Sequence, residues 1–284
     1  MCRADRGVVL GLHRSGPDRD LIERALSLGV CGIDTAYNYR GFTSHRALAR
    51  VAADLLGEFT ISTKVGYFPG DSGGRSVHSL DPARLREAVE RSADDLGRSP
   101  DVVFLHNPEL GLSGRSGKEA HDRLADASAV LASAVAAGSC GTWGIATWDA
   151  RPVAEAIERS ASGIQPGALL LRAGLSVAEP ILAAGETLCR VLGVPSECRW
   201  GMSPFSGSTA DPVWSALDLG AFLAAEAEVS TPQAAFRLAY ELPPVTRVAV
   251  GTSNAEHLRD LVHAAELAVS EGAIRRYREL IKAA

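Results

Sequence analysis

The sequence predicts an α/β fold, a closed (β/α)8 TIM barrel with an extra helix at its C-terminal end. Short β-rich apolar runs alternate with amphipathic helical patterns along the whole chain, and eight such units fit within 284 residues. The runs are apolar on both faces, as in a parallel sheet covered by helices. An open doubly wound sheet competes with this reading. It would normally carry G-x-G-x-x-G after the first strand. Here that turn is Gly11-Leu12-His13-Arg14-Ser15-Gly16, with His13 in place of the second glycine.

The strands are expected at 7–12, 29–34, 59–64, 101–106, 141–147, 166–171, 198–203 and 245–251. Helix 18–28 follows the first strand, with Leu21, Ile22, Ala25, Leu26 and Leu28 at helical spacing. Helix 44–56 follows the second. Asp81-Pro82 opens the third, since an N-cap followed by proline begins a helix. Helices at 118–137, 151–160 and 177–192 continue the alternation. The stretch after the seventh strand reads as two helices, 212–227 and 232–242. Helix 254–268 follows the last strand, and 273–284 is the extra one. Without linker or low-complexity tract, residues 1–284 read as a single domain.

Composition narrows the function. Hydrophobic residues make up 46% and charged residues 22%, which excludes global disorder. A net charge of −5 argues against nucleic acid as a partner. No apolar run approaches the ~18 residues of a membrane helix, and the first residues lack a signal peptide's apolar stretch. No membrane partner is expected. The five cysteines are odd in number and show no C-x-x-C spacing, so a reducing cytoplasm is expected. The seven histidines show no H-E-x-x-H pattern, and no metal site is expected. Lysine occurs only at 64, 118 and 282, which singles out Lys64 at a strand end.

Active residues of such barrels sit at the C-terminal ends of strands. The second strand ends in Asp34, followed by Tyr37 and Tyr39. The third ends in Lys64 and the fourth in His106. An ammonium beside a phenol favours the phenolate and lowers its pKa. A carboxylate can hold that ammonium, and an imidazole can orient a carbonyl. The set suits protonation of a carbonyl oxygen while a hydride, most simply from a nicotinamide, reaches its carbon.

The segments 32–39 (GIDTAYNY), 62–66 (STKVG) and 104–108 (FLHNP) resemble the signature, lysine strand and histidine strand of aldo-keto reductases. Segments 203–205 (SPF), 230–235 (STPQAA) and 250–258 (VGTSNAEHL) resemble later family motifs in the same order. The resemblance implies that Tyr39 is the general acid, Lys64 lowers its pKa, Asp34 pairs with Lys64, and His106 positions the carbonyl. It implies NADPH, with NADH as the alternative, bound by Thr147, Ser203, Phe205, Gly251, Thr252, Ser253 and His257. The partner is then a small-molecule carbonyl substrate, in a pocket with Tyr67, Phe68 and Trp148.

Several positions depart from the family pattern. Ala146 and Thr147 stand for the serine and asparagine that hold the nicotinamide carboxamide. Leu170 stands for a glutamine, and Met202 for an aromatic ring. Arg40 stands where the family often has a glycine, and His45 stands near the place of its usual glutamate. Two other readings stay open: a redox-neutral acid/base enzyme such as a lyase, dehydratase or epimerase, and a non-catalytic binding barrel.

Overall fold

A computed structural model describes residues 6–70, 75–158, 163–224 and 229–283. Eight parallel strands close into a barrel. They are β1 (Gly7–Gly11), β2 (Gly32–Asp34), β3 (Thr60–Val65), β4 (Val102–His106), β5 (Thr142–Thr147), β6 (Ala168–Arg172), β7 (Arg199–Met202) and β8 (Arg247–Val250). The helices after them are α1 (Arg19–Ser27), α2 (Ser44–Ala52), α3 (Pro82–Leu96), α4 (Gly117–Ala136), α5 (Ala150–Glu158), α6 (Glu179–Val191), α7 (Thr231–Leu238) and α8 (Ala255–Ala265). The extra helix is α9 (Glu271–Ala283). The (β/α)8 barrel with a closing helix is therefore the fold.

Local chemistry explains the helix starts. Asp18 and Asp81 accept the N–H of Leu21 and Arg84, which caps α1 and α3. Ser230 and Gln233 form a reciprocal capping box at α7. One element differs from expectation. Residues 212–227 do not form one helix: the helix Pro212–Ala216 stops at extended Leu217, and Asp218 turns the chain by accepting the Gly220 N–H. Residues 225–227 lie outside the described set, as do 159–160 of the fifth expected helix and 284 of the last. A hairpin of Tyr67–Phe68 with Val77–His78 was not foreseen.

The core lies in two shells. Outward-facing strand residues pack under the helices. Inward-facing Val9, Val102, Phe104, Ala146, Ala168, Leu170, Trp200 and Ala249 fill the barrel axis. Phe104 meets Trp200 edge to face at 5.6 Å. Gly144 makes room for this layer, because a Cβ there would lie 2.5 Å from the Ala168 carbonyl oxygen and 2.7 Å from the Phe104 ring. The Gly144→Ala variant should therefore lose about 1–3 kcal/mol of stability in denaturant unfolding. Unchanged stability would mean that this layer has slack.

Candidate active site

Strand alternation gathers ionisable side chains at one mouth. Side chains two residues apart face the same way. Ser62 and Lys64 share a face, as do Phe104 and His106. Register sets Asp34 beside Ser62, and Lys64 beside Phe104. Asp34, Lys64 and His106 therefore converge without any long loop.

Lys64 is 2% exposed and its Nζ donates to Asp34 Oδ2 at 2.5 Å, to the Thr35 carbonyl at 2.9 Å and to Tyr39 Oη at 3.3 Å. Ser62 donates to the other Asp34 oxygen at 2.8 Å. Burial works to lower the Lys64 pKa, but Asp34, with Tyr39, outweighs it, and the pKa rises. Lys64 is thus an ammonium at neutral pH. The Tyr39 pKa is raised, because burial outweighs the downward pull of Lys64. The phenol is therefore protonated, and Lys64 limits the rise rather than producing a net lowering.

A strained turn supports Tyr39. Arg40, Gly41 and Phe42 all have left-handed backbone, at φ 52°, 60° and 65°. Thr43 donates to the Arg40 carbonyl at 2.7 Å, and Ser44 and Thr35 hydroxyls meet at 2.8 Å. The Tyr37 ring packs on Phe42 at 5.3 Å, away from Lys64. Of the two tyrosines, only Tyr39 reaches the ammonium.

His106 is 9% exposed, and its buried Nδ1 has no partner among the described residues. Burial, then Lys64, His78 and His13, hold its pKa well below the usual histidine value, so the ring is neutral. Tyr67 meets it edge to face at 4.8 Å, and Asn107 donates to Tyr67 Oη at 3.1 Å. His13 packs on the Tyr39 ring at 4.8 Å.

These groups wall a cleft of about 480 Å³ that runs from Tyr39, Lys64 and His106 past Tyr67 and Trp148 to Ser203, Phe205 and Gly251. His13, Arg14, Asn38 and Asn107 also line it, and sequence reasoning passed over them. Their common signal was position: each lies just after a strand or just before Tyr39. Asn38 Oδ1 is a second buried atom of the cleft with no partner among the described residues.

Other expected site residues lie elsewhere. Phe68 is 5% exposed and packs in the outer core with Leu80 and Leu85, beneath Arg84. It is not part of the cleft, because the hairpin alternates its side chains and sends Tyr67 inward instead. Thr147 is 1% exposed, and its hydroxyl donates to Glu109 Oε2 at 2.9 Å. Glu109 also accepts the N–H of Trp148 at 2.8 Å and of Asp149 at 3.1 Å. The Thr147 hydroxyl therefore braces a turn rather than facing the cleft. Ala146 and Leu170 are buried in the axial layer. Thr252 and Ser253 follow Gly251 in the chain but are not among the residues lining the cleft, and His257 is exposed on α8. The α8 N-terminus caps itself, since Asn254 accepts from Glu256 N at 2.8 Å and His257 N at 3.4 Å. Among the described residues no cluster of His, Cys, Asp or Glu could hold a metal, and no helix is long and apolar enough to cross a membrane.

A (β/α)8 barrel whose mouth joins a phenol, a buried ion pair and a neutral imidazole narrows the class of protein to barrels with an acid–base constellation at their strand ends. The chain belongs to the aldo/keto reductase family, whose profile matches residues 18–172. Its structure is similar to that of a Bacillus halodurans aldo-keto reductase in holo form (TM-score 0.74, 18% identity, covering 96% of this chain and 91% of that one). It is also similar to a Klebsiella pneumoniae aldo-keto reductase in complex with NADPH (TM-score 0.69, 17% identity, covering 97% and 90%). No curated protein sequence matches the chain.

His45 stands behind this site. It is 2% exposed, and its Nε2 lies 2.7 Å from Thr63 Oγ1, next to Lys64. Burial first of all lowers its pKa from 6.5 to about 4. The unfolded chain therefore binds the proton more readily. His45 contributes stability fully above the unfolded pKa and loses it as pH falls toward the folded value. From about pH 7 to about pH 4, wild type should lose about 3 kcal/mol more unfolding free energy than His45→Gln. Parallel pH curves for the two proteins would show that His45 is not held neutral.

Proposed function

We propose that the chain is an NADPH-dependent reductase of an aldehyde or ketone, also able to run the reverse alcohol oxidation. The observation that carries this reading is the Tyr39 hydroxyl 3.3 Å from an ammonium that Asp34 holds charged. Tyr39 is the general acid: it keeps its proton at neutral pH and releases it when negative charge develops on a carbonyl oxygen. Lys64 stabilises the phenolate that results, and Asp34 keeps Lys64 in place. Neutral His106 hydrogen-bonds the carbonyl oxygen and orients it toward Tyr39.

The cleft suits a dinucleotide in its donor set. Gly11 and Gly251 leave bare backbone along it, and a Cβ on Gly251 would lie 3.3 Å from the Gly11 carbonyl oxygen. Ser203, Phe205, Gly251, Thr252, Ser253 and His257 would hold the cofactor, with Arg14 as a cationic neighbour of its phosphates. An anion at α8 would share the first amides with Asn254. When bound, NADPH supplies the hydride to the carbonyl carbon. Tyr67 and Trp148 wall the substrate side.

A redox-neutral acid/base reaction is the second reading. It is favoured by the nicotinamide end, where the Thr147 hydroxyl is bound to Glu109 and Ala146 and Leu170 are apolar. Calorimetric titration with NADPH separates the two, because absent binding would sink the reductase. With binding present, Tyr39→Phe should keep the NADPH affinity within about twofold and lose about 100-fold or more of carbonyl turnover. Unchanged turnover would remove Tyr39 from the acid role.

A further inference from the structure

The alternation that sends Lys64 and His106 into the mouth does the same for β6. Ala168 and Leu170 fill the axis, and Arg172 is the next residue on that face, in register with Met202 of β7. Arg172 thus ends an apolar strand, as Asp34, Lys64 and His106 do. We propose that Arg172 is a specificity-determining residue that holds a carboxylate carried by the carbonyl substrate; this rests on the reductase reading above.

The guanidinium is placed but not neutralised. It lies over the Trp148 ring at 4.9 Å, and its Nη2 donates to Ser206 Oγ at 3.0 Å. Among the described residues its buried Nε has no hydrogen-bond partner and no carboxylate forms an ion pair with the guanidinium. Asp149, whose charge acts on Arg172 through space, is itself paired with Arg151 at 2.6 Å. A guanidinium fork matches the planar oxygens of a carboxylate and binds them with charge-assisted hydrogen bonds.

The surroundings favour an anion. The whole chain carries −5, yet the cleft presents Arg14 and Lys64, and Arg172 stacks on Trp148, which lines it. Asp34 is the carboxylate lining the cleft, and Lys64 and Ser62 already occupy its oxygens. Among the described residues, an arriving carboxylate meets no free acidic group there. Trp148, which lines the cleft beside Arg172, is 42% exposed and offers an apolar wall for the body of the ligand. Arg172 ends β6, next to the turn that carries Trp148. The segments proposed for the cofactor phosphates follow β7 and β8 instead. Because Arg172 also reaches Ser206 in the loop after β7, NADPH affinity is measured beside the carboxylate preference.

The test uses benzoate and its neutral analogue benzamide, titrated calorimetrically into wild type, Arg172→Met and Arg172→Lys, with NADPH affinity measured alongside. Wild type should bind benzoate about tenfold or more tightly than benzamide. Arg172→Met should bind the two equally, Arg172→Lys should recover part of the preference, and NADPH affinity should change by less than about twofold. A wild type without preference, or a preference that survives in Arg172→Met, would overturn the proposal. So would a tenfold loss of NADPH affinity in Arg172→Met, which would put the guanidinium on a cofactor phosphate. The benzoate arm requires no hydride transfer, so its failure is distinct from failure of the reductase reading, which falls on absent NADPH binding. As a turnover arm, 4-carboxybenzaldehyde should exceed its methyl ester in kcat/KM for wild type, and Arg172→Met should abolish that advantage through KM.

Discussion

The mouth of the barrel depends on one buried ion pair. Moving an ammonium and a carboxylate out of water is costly, and each is tolerated only because the other is present with its remaining hydrogen bonds satisfied. Lys64 and Asp34 meet this condition through Thr35 and Ser62, all on or next to adjacent strands β2 and β3. The pairing of those strands therefore fixes a positive charge at one point of the rim. The left-handed turn at residues 40–42 then delivers the Tyr39 hydroxyl to that point. Burial alone would make this phenol a very weak acid. The ammonium limits that effect while leaving the proton in place.

Around the pair, side chains tie the rim loops to one another. Glu109, after β4, accepts from three groups at the end of β5. Trp148 from that turn carries Arg172 of β6, and Arg172 reaches Ser206 after β7. Arg14, after β1, donates to the Gly207 carbonyl. Loops from five strands are thereby linked through hydrogen bonds and one stacked cation. Such bracing holds reactive groups in place better than independent loops would. It also explains why the Thr147 hydroxyl faces Glu109: a buried carboxylate needs donors, and this hydroxyl is one of them.

The fold was legible because strand runs buried on both faces and capped helices are local signals. Asp34, Lys64 and His106 were legible because each ends an apolar run, and lysine is rare in this chain. Arg172 has the same placement but no such signal, since the apolar run itself ends at Leu171 and arginine is common in this chain. Glu109 could not be found from sequence, because its role comes from a partner 38 residues away. Phe68 was misplaced because a two-residue hairpin reverses which neighbour faces inward. The helix expected at 212–227 fails at Leu217 and Asp218, where a local Asx turn competes with helix propagation.

The most direct measurement is the ionisation of the Tyr39 phenol itself. Ultraviolet titration of wild type minus Tyr39→Phe isolates this one tyrosine. The same difference taken in an Asp34→Asn/Lys64→Met background removes the ion pair without stranding a buried charge. If Lys64 poises Tyr39, the phenol should titrate at higher pH in that background than in wild type. An identical titration in both backgrounds would contradict the central role of the ion pair.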